Sequence, residues 1–446
     1  MSYNSVSNIL YKIKEAGVVG AGGAGFPTHV KLDNKAEIVL ANGAECEPLL
    51  RVDRRIMENF PEKVVAGLKT VMEISGAGRG VICLKEKYHT AVERLGKTIA
   101  GDKNIGLHLM KNYYPAGDEQ QIAYEVTGKV VPPGGLPISI GVIVCNVGTL
   151  MNIADAVEGF PVTDRHVTVT GAVDRPLTVK VPIGTPIRKL VEAAGGPVEN
   201  SGYSVIIGGP AMGKVERDWS AVVTKTTGGV VVLPDSHKVI AIKTSDTDRD
   251  YRLAKSVCCQ CNYCTLMCPR NSLGLGVAPH KVMRSIAYDH PSSLGDSNSV
   301  LSCCDCGICT LYACTMGLSP STIVTALKHK LLTKGIKAGG KPDNVSESRE
   351  YRKVPVDRFI QRLALDKYDT DAPLTDLELK VPSVKIPLKQ HIGAPASPVA
   401  SVGDYVLKGE LIGIMEDGKL GANIHASVSG KVVQVSDQHI EIRIIG

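Results

Sequence analysis

Eight of the 13 cysteines in this 446-residue chain fall into two runs. The first reads Cys258-x2-Cys261-x2-Cys264-x3-Cys268-Pro269, and the second Cys303-x2-Cys306-x2-Cys309-x4-Cys314. Three thiolates at x2, x2 spacing can wrap three corners of an iron–sulfur cubane from one tight loop, and the fourth corner needs a more distant sulfur. In such paired runs the last Cys of each ligates the other cluster. The spacing therefore predicts two 4Fe–4S clusters, one on Cys258, Cys261, Cys264 and Cys314, the other on Cys303, Cys306, Cys309 and Cys268. Structural zinc is the competing chemistry. It takes two separated Cys-x2-Cys pairs that close one tetrahedral site, and two complete four-cysteine runs fit that poorly.

Cys259 and Cys304 stand beside first ligands but break the spacing, so they read as spectators. Cys46, Cys83 and Cys145 lie in apolar or strand-like surroundings and read as small core residues. The second run departs from the first in two ways: Thr315 follows it instead of a proline, and its last gap is one residue longer. Its loop should be shaped differently.

Composition bounds the rest. The length suggests about three domains. Forty-six glycines favour α/β and β architecture, and a net charge of +6 is too mild for a nucleic-acid partner. Lys12 and Lys14 are followed by neither an apolar core nor a cleavage site, so no secretory signal is expected. The longest apolar run, 138–145, is far short of a membrane span. Many cysteines without such a signal imply a reducing, cytoplasmic setting in which thiols serve as ligands.

The elements that position the cysteines begin with a domain over 1–162. Val6, Ile9, Leu10 and Ile13 recur at helical spacing, predicting a helix over 5–16 stopped by Gly17. Gly20-Ala21-Gly22-Gly23-Ala24-Gly25-Phe26-Pro27 follows. A dinucleotide fingerprint needs a strand before such a turn and a helix after it. Here a helix precedes and Pro27 follows, so the ordinary Rossmann reading fails. Strands are expected at 37–41, 80–84 and 140–146, and helices at 61–74, at 89–100 and from Thr149. Alternating β and α elements argue a parallel sheet whose ligands gather at the carboxyl ends of its strands. Three loops fit that position: Gly20–Lys31, Asn42–Glu47 and Tyr114–Glu119.

These loops carry a resemblance. Gly-x-Gly-Gly-Ala-Gly-Phe-Pro-Thr-x-x-Lys, Asn-x-x-Glu-x-Glu-Pro, Tyr-x-x-Gly-Asp-Glu and Asn-Val-x-Thr-Leu are similar, in this order, to the flavin-bearing subunit of respiratory complex I and to the C subunit of the Rnf complex. The resemblance implies that Gly20, Gly22, Gly23, Gly25 and Lys31 cradle the phosphate and ribose of FMN. It puts Asn42, Glu45, Gly117, Asp118, Glu119, Asn146 and Thr149 around the flavin, with Tyr114 opening its loop. Glu45, Glu47, Asp118 and Glu119 become candidates for orienting NADH. The sequence departs from the complex I subunit at Ala21 and Ala44, where that subunit has Arg and Asp.

Residues 163–245 read ββαββ, a β-grasp that resembles the soluble-ligand-binding (SLBB) domain of the same families. Residues 246–334 are helical around the cysteines and ferredoxin-like, with Ile323, Val324, Leu327 and Leu331 on one helix face. A polar, glycine-containing stretch follows, and 335–378 reads as a linker. Residues 379–446 resemble the barrel-sandwich hybrid domain of the Rnf C subunit, here at the C-terminal end.

That domain order is similar to the cobalamin reductase family of propanediol-utilisation microcompartments. It implies a multidomain α/β protein in which NADH feeds FMN, two 4Fe–4S clusters and finally cobalamin. It also implies a cobalamin adenosyltransferase and microcompartment shell proteins as partners. An Rnf-like electron-transfer subunit serving another acceptor is the alternative.

Overall fold

The computed structural model describes residues 3–197 and 201–445. Four parallel strands form the first sheet, in the spatial order Ile105–Met110, Arg79–Lys85, Ile38–Gly43, Val142–Asn146. Val39, Leu40, Ala41, Ile82, Leu84 and Ile143 are buried, as the near-continuous apolar runs of a sheet covered on both faces require. The helix Pro61–Ser75 starts on a proline and ends at left-handed Gly76. It packs on the helix Val147–Val157 so closely that a Cβ on Gly67 would lie 2.0 Å from the Leu150 carbonyl oxygen.

From the Ile38 strand the chain builds outward to the Arg79 and Ile105 strands, then crosses back to add the Val142 strand on the other side. The order reverses between the first and last of these, where Asn42 pairs in register with Asn146. Such a reversal opens a crevice at the carboxyl ends of the strands.

The second sheet has six strands, with the parallel pair Asp164–Gly171 and Gly229–Pro234 at its centre and the helix Ile187–Ala193 as crossover. Val167, Val169, Val179, Leu190 and Val230 fill its core. The cysteine region is helical. Thr247–Val257, Pro279–Ala287 and Pro320–Thr333 surround Ala254, Val282, Met283, Ile323 and Val324. The C-terminal region is a sandwich of a four-stranded and a three-stranded sheet. Its core residues Val384, Ile386, Ile412 and Val432 join the same apolar cluster as Ile13 and Val18. The parallel-sheet and sandwich units therefore share one core.

The expected linker over 335–378 is corrected by the structure. Val354–Pro355 pairs with Tyr113–Tyr114, and Leu374–Thr375 adds an edge to the β-grasp sheet. Between them the helix Val356–Arg362 buries Phe359, which stacks on Tyr114 with ring centroids 4.7 Å apart. Leu363 and Leu365 are buried too. Among the described residues no helix is long and apolar enough to cross a membrane.

Candidate functional site

The glycine loop lies over the crevice. Gly20 N–H donates to the Phe26 carbonyl at 2.9 Å and closes the turn. Ala21 N–H donates to Thr149 Oγ1 at 2.8 Å, and Arg165 donates to the Ala21 carbonyl at 2.7 Å. Gly22 is glycine for a packing reason: a Cβ there would lie 2.7 Å from Asn146 Nδ2. Gly25, at φ +74°, backs onto Thr226, Gln390 and His391.

Gly23 is different. It is exposed, its φ is not left-handed, and a Cβ on it would meet no protein atom within 4 Å. Nothing in the polypeptide requires glycine here. The bare backbone leaves open space for a ligand, as in glycine turns that bind phosphate. The loop thus fits a phosphate-bearing cofactor such as FMN.

The remaining flavin candidates divide into two groups. Asn42, Glu45, Gly117, Glu119, Asn146, Thr149 and Lys31 converge around the crevice. Asn42 Nδ2 donates to the Gly117 carbonyl at 2.9 Å, and Gly117 N–H donates to Cys46 Sγ. Lys31 Nζ meets Glu119 Oε1 at 2.8 Å; burial works against its charge, but the carboxylate outweighs it and raises the amine. Asn146 caps its helix by accepting from Gly148 N–H and donates to Asp53 Oδ2 at 2.8 Å.

Glu45 sits at φ +34° and accepts from the N–H groups of Asp53 and Arg54, at 2.9 and 3.2 Å, capping the helix Val52–Asn59. Burial raises the Glu45 carboxyl. Burial and then the Glu45 charge push Asp53 up to about 7. Lys85 donates to the Glu45 carbonyl at 2.9 Å and is lowered by burial to about 8. Asp53, Lys85 and Arg165 were not expected here. Only Lys85 left a trace in the sequence, as a lysine ending an apolar strand.

Three other candidates face away from the crevice. Glu47 accepts from the N–H groups of Ala211 (2.8 Å) and Met212 (2.7 Å) in the β-grasp. Tyr114 donates to the Cys306 carbonyl at 2.7 Å, and Asp118 takes both bonds of Arg270, at 2.8 and 2.5 Å. Their side chains join domains.

The cysteines gather in two sets. Cys258, Cys261, Cys264 and Cys314 line one open depression. Burial pushes the Cys264 thiol up to about 12, with Cys314, Cys258 and Cys261 adding to it. In the second set burial raises Cys309, and Cys303 and Cys268 add to it. Thiols crowded together in this way are a donor set for a positively charged centre, which fits an iron–sulfur cluster. Among the described residues no three such side chains close on a point for a single metal ion.

The two loops are conformational copies. In the first, Gln260 (φ 56°) and Asn262 (φ 65°) flank Cys261; in the second, Asp305 (φ 56°) and Gly307 (φ 74°) flank Cys306. A left-handed non-glycine residue costs about 1–2 kcal/mol, so this strain persists only where something overdetermines it. Matching conformations at matching positions fit loops shaped for ligands of the same kind. The extra residue after Cys309 is absorbed by a π-helical turn, Cys309–Ala313. Amide donors reach sulfurs of both sets, among them Gln260 Nε2 to Cys258 at 3.2 Å, Asp305 N–H to Cys303 at 3.4 Å and Leu318 N–H to Cys314 at 3.3 Å.

Comparison with known proteins matches each of these units. Residues 13–155 match the Nuo51 FMN-binding domain, 166–215 the SLBB domain, 257–319 a 4Fe-4S dicluster domain and 364–443 the RnfC barrel sandwich hybrid domain. The cobalamin reductase PduS of Salmonella typhimurium is 43% identical over 440 residues, covering 98% of this chain and 97% of that protein. The chain belongs to the PduS cobalamin reductase family. Another relative, PduS of Citrobacter freundii, is 41% identical over 97% of this chain and 95% of its own length.

Outside the family, the C subunit of the Na(+)-translocating ferredoxin:NAD(+) oxidoreductase complex of Acetobacterium woodii is 37% identical. That match covers 60% of this chain and 59% of its partner in the alignment. A chain of an NAD+-reducing [NiFe]-hydrogenase superposes with a TM-score of 0.50 at 20% identity, covering 78% of this chain and 63% of its own. That likeness speaks to fold alone. The family's architecture is the multidomain α/β one expected, and the chain is an oxidoreductase carrying FMN-binding and iron–sulfur domains.

Proposed function

We propose that the protein is an NADH-dependent cobalamin reductase that uses FMN and two 4Fe–4S clusters to return oxidised cobalamin to the coenzyme B12 cycle of a bacterial microcompartment. The observation that carries this reading is a juxtaposition. The loop with the bare backbone at Gly23 and the cysteine runs belong to one packed body, joined where the Tyr114 hydroxyl meets the Cys306 carbonyl. Membership in the PduS family supports cobalamin as the acceptor.

When bound, a flavin supplies the step-down from a hydride's two electrons to single ones, and the clusters supply one-electron carriage. The chain's own residues then have four tasks. The loop of Gly20, Gly22, Gly23 and Gly25, with Lys31, binds the phosphate end, Gly20 closing the turn on Phe26. Asn42, Gly117, Asn146 and Thr149 shape the crevice floor. Glu45 and Glu119 stand at its rim, where nicotinamide and ribose hydroxyls would be oriented. Cys258, Cys261, Cys264 and Cys314 hold one cluster, and Cys268, Cys303, Cys306 and Cys309 the other. The acceptor is cobalamin, its cobalt taken from Co(III) to Co(II) and onward to Co(I). A cobalamin adenosyltransferase and shell proteins are the expected neighbours.

The test is anaerobic purification followed by denaturation and assay. The protein should release FMN, contain iron and acid-labile sulfide, and reduce hydroxocobalamin with NADH. Reduction of a generic dye while cobalamin stays oxidised would refute the acceptor.

A further inference from the structure

The two cysteine sets stand differently toward the flavin loops. Three residues from one segment of the parallel-sheet domain reach the second set. Tyr114, almost fully buried, donates to the Cys306 carbonyl at 2.7 Å. Gln121 Nε2 donates to the Pro269 carbonyl at 2.8 Å, next to Cys268. Asp118 takes both bonds from Arg270, two residues beyond Cys268, and this pair is itself largely buried. Cys268, Cys306 and Cys309 are buried as well.

The first set faces outward. Cys261 is exposed, and the depression it shares with Cys258, Cys264 and Cys314 is lined only by residues of the 258–320 region. The sets adjoin, since the short helix Tyr263–Leu266, which carries Cys264, packs against the Cys309–Ala313 turn.

A buried ion pair is a poor source of stability, because desolvating both charges consumes most of their attraction. Its best-attested use is to fix register, and here it fixes the flavin loop against the Cys268 turn. It also places the Arg270 guanidinium two residues beyond Cys268, held by Asp118.

From this geometry we propose that Cys268, Cys303, Cys306 and Cys309 would hold the cluster that receives electrons from the flavin side, and that Cys258, Cys261, Cys264 and Cys314 would hold the one at the point of exit. Arg270 and Asp118 are the positioning residues of the first transfer. This rests on the flavin and iron–sulfur reading above. Oxidation of NADH to NAD+ and a proton releases two electrons, one for each cluster, so the two sets together balance one hydride.

The experiment is rapid mixing of anaerobic, full-length holoprotein with NADH, followed by electron paramagnetic resonance of the frozen samples. In Cys261→Ser the surviving cluster should fill at the wild-type rate, while reduction of an external acceptor is lost. In Cys306→Ser the surviving cluster should stay oxidised on that time scale. Arg270→Gln should move the midpoint potential of one cluster negative and leave the other unmoved, and Arg270→Lys should restore it. These Arg270 variants decide the matter if Cys306→Ser fails to fold. The reverse pattern in the cysteine variants, or a shift of both potentials or neither, would overturn the order. Wild-type protein that NADH cannot reduce at all would instead sink the functional reading, and that control is read first.

Discussion

The carboxylate of Glu47 accepts the backbone N–H of Ala211 at 2.8 Å, tying the parallel-sheet domain to the β-grasp. A Cβ on Gly209 would lie 2.1 Å from Glu47 Oε2, so that glycine exists to let the carboxylate in. Glu47→Ala should cost about 1–3 kcal/mol by stranding amide donors. Gly209→Ala should destabilise through the same contact. Denaturant unfolding checks both, and unchanged midpoints would mean the contact contributes nothing.

Gly22 and Gly23 separate a packing requirement from a ligand requirement. Gly22→Ala drives a Cβ into Asn146 and should lower both stability and FMN content. Gly23→Ala meets no protein atom, so it should leave the thermal midpoint of the flavin-free protein unchanged while weakening FMN retention. Full FMN content in Gly23→Ala would move the phosphate elsewhere.

Lys225 makes the junction of three domains sensitive to pH. Its amine donates to the carbonyls of Gly17 and Asn423, each at 2.7 Å, and burial lowers it to about 7. Between that value and the ordinary lysine range the unfolded chain holds a proton the folded one has released. Stability therefore rises with pH across that window, by at most about 1.4 kcal/mol per unit. Lys225→Met should flatten this slope in unfolding measurements between pH 7 and 10.

The neighbouring histidines act on the acid side. Burial lowers His391 to about 4 and His425 to about 3, with the Lys225 charge second in each. Below an ordinary histidine value near 6.5 the unfolded chain takes up protons these rings refuse, so stability is lost as pH falls. His391→Gln and His425→Gln should each weaken that loss. An unaltered acid limb would place its origin elsewhere.

Iron content tests the two cysteine sets directly. Cys258→Ser or Cys303→Ser should remove about half the iron and sulfide, given two clusters of one type. Cys259→Ser and Cys83→Ser should remove none. Iron loss in Cys259→Ser would redraw the first set.

The iron–sulfur domain was legible because cysteine spacing is local, and the parallel sheet because its strands are plain apolar runs. The extra residue after Cys309 was visible, but not that a π turn takes it up. Long-range partners left no sequence signal. Asp118 and Arg270 lie 152 residues apart, and nothing beside either predicts the other. Tyr114 looked like a loop residue of the flavin site because its partner Phe359 sits inside an apparently polar linker. Lys225, within Thr224-Lys225-Thr226-Thr227, reads as surface until Asn423 arrives from the sandwich. Burial made by another domain cannot be read from a residue's neighbours.

The central claim is that paired electrons enter from NADH and leave singly to cobalt. Anaerobic stopped-flow spectroscopy with limiting NADH and excess hydroxocobalamin tests it most directly. The account predicts two cob(II)alamin formed for each NADH oxidised, with loss of turnover when iron is removed. NADH consumed with cobalamin left oxidised, or undiminished cobalamin reduction by iron-free protein, would contradict it.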